Sequence, residues 1–429
     1  MDKSVEVELD FAALLAELGK AGPFDPDSLR VVDTGSNQLV PFQFDSAGLV
    51  FIAAGAMDSS RRFHVYFDAG TGFTPAQVAP LVTVEDGLQH EQQESLKITA
   101  QNATWYYQKP GAGFASLEDE NGNDWISYTP GGGSAGEYRG IPNLGEWAHP
   151  GYDNSQSVLE IDGPVRARIR SQTNDSAWEA HWDIFPRFAR LTLDKSGGGY
   201  WFLYEGTPGG GLDAGDYCVR SPGTRTGINT DWHEDLPGPE WAYFGDENLG
   251  RIIYLVHHED DTHSDQFWQM QDNMTVFGFG RQYTCCDRYM TAAPAHFTVG
   301  LADASSIDEA LAIIEGNWRA LQVTVGEAEE KSEQLDAISG DGDADGNGYG
   351  DEDAGKPDEQ EEDAGQAGDD GESSVGGSCS CGGTTGSPVS GLVLVHLWLR
   401  FLWGGWVRRS GTSCSRASCP RNRSCPPGT

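Results

Sequence analysis

The stretch VRARIRSQTNDSAWEAHWDIFPRFARLTL, residues 165–193, decides the fold class. It holds three runs, 165–171, 178–185 and 189–193, in which apolar and polar residues alternate, separated by the turn formers Asn174, Asp175, Ser176 and Pro186. A period of two puts alternate side chains on opposite faces of a strand, and runs this short joined by turns pair with their neighbours as an antiparallel meander. The same pattern extends outward. Further strands are expected at 103–107, 157–161, 200–204, 252–257, 274–279 and 296–299, so the expected class is all-β. One clear helix is expected at 306–320, opened by Ser306 with Asp308 and Glu309 in its first turn, and a weaker one at 328–338.

Aromatic residues mark how far the core extends. Most of the 13 Trp, 14 Tyr and 18 Phe precede Leu321, whereas the acidic stretch that follows is rich in Asp, Glu, Gly and Ser. Residues 1–90 read as a small β-sandwich and 91–325 as a larger β body. Residues 326–378 read as an acidic linker expected to be disordered, with too little apolar surface to offset the entropy of ordering. The net charge of −38 repels phosphate backbones, which excludes nucleic acid as a partner.

Within the linker, DGDADGNGYGDE places Asp341, Asp343, Asp345, Asn347 and Glu352 at the oxygen-ligand spacing of a calcium loop. No cofactor is required by the sequence; calcium is possible in this loop, and the imidazoles and carboxylates of 257–265 could converge on a metal at a strand end, although a solvated acidic loop is the favoured reading there. Residues 379–429 combine a Cys/Gly spacer, an apolar run at 392–407 and arginines, and resemble the C-terminal sorting tails of myxobacterial surface proteins. That resemblance implies attachment to the cell envelope and an extracytoplasmic location, secreted or on the outer surface, although residues 1–20 show no export signal pattern. In an oxidising compartment Cys218 could pair with Cys285 or Cys286.

The segments NATWYYQKPGAGFASLEDENGNDWISY (102–128), DGPVRARIR (162–170), WDIFP (182–186) and GGGYWFLYEGTPGG (197–210) resemble the galactose-mutarotase-like β-supersandwich of carbohydrate-active proteins. The resemblance implies a small sandwich preceding a large antiparallel one, and a polysaccharide or oligosaccharide as partner. Sugars bind by stacking on aromatic rings while their hydroxyls pair with carboxylates, amides and arginines.

Three polar clusters are candidates for the site. The Gly-rich loop GGGSAGEYRGIPNLGEWAHPGYDN (131–154) presents Glu137, Tyr138, Arg139, Trp147 and His149. The strand at 178–185 puts His181 on the face opposite Trp182, and HHEDDTHSDQFWQM (257–270) begins with His257 and His258. In YWFLYEG, Tyr204 and Glu205 face opposite ways unless the strand ends or bulges there, which the turn at Gly206, Thr207 and Pro208 permits. The leading expectation is a polysaccharide lyase acting on a uronic acid, with His181 as base, Tyr204 as acid and Arg139 clamping the carboxylate. Glu137, Tyr138, His149, Trp147, Trp182, Trp232, Glu205, His258 and Arg281 are expected to bind substrate. The alternatives are a glycoside hydrolase drawing two carboxylates from Glu137, Glu205, Glu234 and Glu259, and a surface protein that binds carbohydrate without turnover.

Overall fold

A computed structural model describes residues 2–55, 59–282, 287–319, 321–331 and 392–401. Every strand pairing within it is antiparallel, as the alternating sequence requires. The meander read from residues 165–193 is present as Ala167–Thr173, Glu179–Ile184 and Ala189–Lys195. It forms part of a nine-stranded sheet completed by Ser155–Asp162 on one side and, on the other, by Ala295–Asp303, Arg251–His257, Glu240–Asp246, Asp216–Arg220 and Thr224–Gly227. Two four-stranded sheets pack against it: Val82–His90 through Gly113–Glu118, and Phe202–Gly206 with Met274–Phe279, Asp265–Met270 and Trp232–Glu234.

The core between these sheets is aromatic. Trp105, Phe114, Trp125, Trp147, Trp182, Phe202, Phe277 and Phe297 are all buried there. Cys218 lies in the same core, free and buried, and burial pushes its thiol up to about 12. Cys285 and Cys286 fall outside the described residues.

The N-terminal sandwich faces a three-stranded sheet, Asp2–Val7, Gly48–Ala54 and Phe42–Asp45, against a five-stranded one. The strand Val82–His90 already belongs to the larger body, so the sandwich gives way to it before residue 90. The five-stranded sheet runs Leu321–Lys331, Leu392–Phe401, Ser60–Phe67, Arg30–Asp33, Gln38–Leu39. The apolar run that reads as an anchor in the sequence is thus an interior strand here from Leu392 to Phe401. Val393, Val395, Leu397 and Leu399 are buried in the sandwich core with Val5, Phe51 and Phe63, while Leu392 and Leu394 pack with Val32 and Tyr66 on the other face.

Leu321–Lys331 is the partner of this strand. Its residues 326–331 depart from the linker expectation, and 328–331 from the weaker helix. The cause is pairing: a strand flanked by a long apolar neighbour gains a full ladder of backbone hydrogen bonds that no isolated helix of that composition matches. The calcium-loop residues Asp341, Asp343, Asp345, Asn347 and Glu352 lie outside the described residues.

The expected helix is present at Ile307–Trp318, with the Ser306 hydroxyl capping Glu309 N and with Ala310 and Ile314 buried against the nine-stranded sheet. Lys3 binds its last turn, donating from Nζ to Gly316 O at 2.6 Å and Arg319 O at 2.9 Å. Sandwich and body meet at Arg166, whose side chain is fully buried and reaches Asp45 at 2.8 Å, Glu6 at 3.2 Å and Asp183 at 3.8 Å.

Candidate functional site

The strand Phe202–Gly206 fixes the site. Tyr204 points into the core, where its hydroxyl donates to Trp125 O at 2.8 Å. Glu205 therefore points the other way, as the alternation requires. The Gly-rich loop lies along this strand: Gly140 N donates to Glu205 O at 2.8 Å, Glu205 N to Gly140 O at 3.1 Å, and Leu203 N to Pro142 O at 2.6 Å. These bonds bring Asn143 beside Glu205, and its Nδ2 donates to Oε2 at 2.6 Å.

The loop then turns back through His149–Tyr152. Gly111 and Gly113 allow that turn to sit close, since a Cβ on the first would fall 2.4 Å from His149 O and one on the second 2.7 Å from Pro150 Cδ. Gly151, at φ +84°, donates from N to Gln108 Oε1 at 2.7 Å. His149 is held with Nδ1 2.6 Å from Pro150 O and Nε2 3.3 Å from Tyr138 O. A carbonyl only accepts, so in the neutral ring that burial favours the proton belongs on Nδ1, at the shorter contact, and Nε2 gains one only when the ring is charged. Nε2 lies 3.7 Å from Glu205 Oε2.

Around this pair is a cavity of about 400 Å³, lined also by Tyr128, Glu137, Tyr138, Tyr152, Trp268 and Arg281. Burial pushes the Glu205 carboxyl up to about 7, against the pull of Asn143 and of the Arg281 charge. Burial also lowers His149, opposed by the Tyr138 and Pro150 carbonyls. The result is a carboxyl that exchanges its proton near neutrality beside an imidazole disposed to stay neutral, which is the requirement for general acid–base work at physiological pH. Arg281 stacks on Trp268, its guanidinium carbon 3.7 Å from a ring centroid, and lies 4.8 Å from the Trp201 ring.

Of the residues expected from sequence to bind substrate, Glu137, Tyr138, His149, Glu205 and Arg281 meet in this cavity. Trp147, Trp182 and Trp232 are core side chains instead; Trp147 donates to Ser155 Oγ at 2.5 Å, and Trp232 lies under Arg220. His258 pairs with Thr298 Oγ1 at 2.8 Å and is pushed down to about 3 by burial and by Arg190, away from the cavity lining.

The three residues expected to carry elimination do not converge there. His181 sits on the nine-stranded sheet with Nδ1 2.7 Å from Asp194. Tyr204 is sealed in the core, and burial raises its phenol well above the usual range. Arg139 is spent on carbonyls, donating to Asn273 O at 2.8 Å and Ser134 O at 3.3 Å. In the histidine-rich segment His257 reaches Glu240, its partner on the neighbouring strand, at 2.5 Å, and Glu240 also accepts from Asp261 N at 3.1 Å, which draws Glu240, His257 and Asp261 together away from the cavity lining.

Asn143 is a lining side chain for which the sequence carries no signal. Trp268, one of the tryptophans interleaved with polar residues, is placed by alternation, since Phe267 beside it is an apolar core residue and its neighbour must face outward.

No family model and no curated protein matches this chain. Among solved structures it is similar to a putative mutarotase, YeaD, from Salmonella typhimurium, at 13% identity over 53% of this chain and 96% of that chain, with a TM-score of 0.35. It is also similar to a galactose mutarotase related enzyme from Lactobacillus acidophilus, at 10% identity over 49% of this chain and 99% of that one, with a TM-score of 0.33. Overlaps of this quality leave function to be argued from the site itself.

Proposed function

We propose that this chain is a carbohydrate-active enzyme that opens and recloses the sugar ring at its anomeric carbon, using Glu205 and His149 as the acid–base pair. The observation that carries the reading is the 3.7 Å approach of His149 Nε2 to a buried Glu205 carboxyl in one cavity. In the forward step one of the pair takes the proton from the anomeric hydroxyl. The bond from the anomeric carbon to the ring oxygen breaks as the carbonyl forms, and the ring oxygen receives its proton from the other. Reclosure on the opposite face of the carbonyl reverses both transfers. Trp268, Tyr138 and Tyr152 offer stacking surface, and Asn143 and Glu137 offer hydroxyl partners.

The test is polarimetry of freshly dissolved aldoses. The wild type should speed equilibration above buffer, and Glu205→Gln should reduce that gain by about 10²–10⁴-fold, the usual contribution of a positioned acid or base. Equal rates for wild type and Glu205→Gln would refute the assignment.

A second reading keeps the elimination chemistry. Arg281, stacked on Trp268 at the cavity wall, is a cation suited to neutralising a uronate. Rising ultraviolet absorbance on uronic polysaccharides, lost in Arg281→Gln, would select it; binding without either reaction would select a recognition module.

A further inference from the structure

A second cluster of ionisable groups lies away from the cavity lining. Asp216 opens the strand Asp216–Arg220 and Asp246 closes Glu240–Asp246, and the two are directly opposite in the antiparallel register. Like charges directly opposite on a ladder are destabilising. Asp213, in the loop just before, adds a third carboxylate, and one oxygen from each of the three lies within 4.8 Å of the others.

Backbone amides meet part of this charge, Gly215 N donating to Asp213 Oδ1 at 2.6 Å and Asn248 N to Asp246 Oδ1 at 2.7 Å, but among the described residues no cationic side chain is paired with any of the three. Asp216 and Asp246 are buried, Asp216 to 2% exposure. Asp216 Oδ2 accepts from Asp213 N at 2.8 Å, but Oδ1 is buried with no hydrogen-bond partner among the described residues. Burial, then the charges of Asp213 and Asp246, push the Asp216 carboxyl up to about 7. An orphaned carboxylate oxygen facing two like charges is costly unless a proton or a cation enters.

Glycine lets the loop approach closely here: a Cβ on Gly215 would lie 3.0 Å from Asn248 Nδ2 and from Asp213 Oδ1 and 3.5 Å from Asp246 Oδ1. Gly209, at φ +65°, brings the loop after Gly206 against Asp246; a Cβ there would be 2.6 Å from Oδ2.

We propose that Asp213, Asp216 and Asp246 bind a calcium ion that ties the strand pair to the 207–215 loop. The donors are all hard oxygens, which suit calcium or magnesium over transition metals. Three carboxylates at the end of a strand pair supply the direct oxygen contacts calcium accepts in variable geometry, whereas magnesium prefers to keep its waters.

The experiment uses the full chain carrying Asp341→Ala, Asp343→Ala and Asp345→Ala, so that the linker sequence cannot supply the ion. Thermal unfolding is followed in EDTA, in calcium chloride and in magnesium chloride. Saturating calcium should raise the melting temperature by about 5 °C, more than magnesium does. Asp216→Asn, which removes one of the opposed charges, should melt above its parent in EDTA and below it in calcium. Gly215→Ala, which crowds the Asp213 and Asp246 oxygens while leaving all three carboxylates in place, should lose most of the calcium shift. A parent that calcium does not stabilise, or an Asp216→Asn chain that keeps the full shift, overturns the proposal. Should Asp216→Asn fail to fold, the exposed Asp213→Ala takes its place: loss of the shift supports the site, and a full shift overturns it.

Discussion

Asn143 donates from Nδ2 to Glu205 Oε2 at 2.6 Å, and so the loop that lines the cavity also sets how readily its carboxyl ionises. Asn143 sits at φ +38°, where glycine substitutes without backbone strain. Asn143→Gly should therefore leave the fold intact while raising Glu205 further above 7. The pH dependence of turnover should move up by about one unit, a typical effect of losing one hydrogen bond to a carboxylate. An unmoved profile would show that the bond does not govern the ionisation.

Glu205 should also leave a mark on stability. Its carboxyl is raised in the folded protein from an ordinary 4.5 to about 7, so the fold holds that proton more tightly than the unfolded chain does. The contribution is fully present below 4.5 and is lost as pH rises through 7, amounting to roughly 3 kcal/mol. Denaturant unfolding at pH 4.5 and pH 8 should show this decline in the wild type and a smaller one in Glu205→Gln.

Removing the platform under Arg281 should weaken sugar binding without abolishing the fold. Trp268→Ala forfeits both the stacking surface and the cation–π contact, and a loss of about 5- to 30-fold in affinity is expected in calorimetric titration. Trp147→Ala, by contrast, should be read as a stability defect, because Trp147 is sealed in the core.

His181→Ala should leave turnover at the wild-type level. Its ring is engaged with Asp194 on the nine-stranded sheet and lines no part of the cavity. A large loss of turnover in a chain that melts normally would return His181 to the chemistry.

The seated strand can be tested by one substitution. Leu397 is fully buried in the sandwich core, and Leu397→Asp places a charge there at a cost of about 4 kcal/mol. The sandwich should then unfold in a separate, earlier transition, while the aromatic core of the larger body melts as before.

The sequence makes the meander legible because a half-buried strand writes its two faces as alternating letters. The opposition of Tyr204 and Glu205 follows from the same rule, and Ser306 with Glu309 marks the helix start for the same local reason. The fate of the tryptophans is a different matter. Trp268 lies in an alternating strand whose faces can be read from Phe267, whereas Trp147 lies in a Gly-rich loop with no period, and only the packing of distant sheets buries it. His181, Tyr204 and Arg139 are of the right chemical types, yet each is claimed by a partner outside its own run: Asp194, Trp125 O and Asn273 O. The strand Leu392–Phe401 is illegible for another reason. Its first half, Leu392 to Val395, is covered on both faces and shows no alternation, so the run reads as membrane-directed, although Trp398 and Arg400 are exposed and alternate with the buried Leu397 and Leu399.

That strand has a consequence for how the protein is made. Ser60–Phe67 leaves the ribosome well before its partner in the sheet, Leu392–Phe401, which is synthesised only after residues 332–391 have followed the larger body out. The larger body has all its strands in hand before then and can fold while translation continues. The sandwich must wait with an open seam, so a unit whose first strands are made early is the last to close. A ribosome that stalls within residues 332–391 would release a protein with a finished cavity and an unfinished N-terminal sandwich.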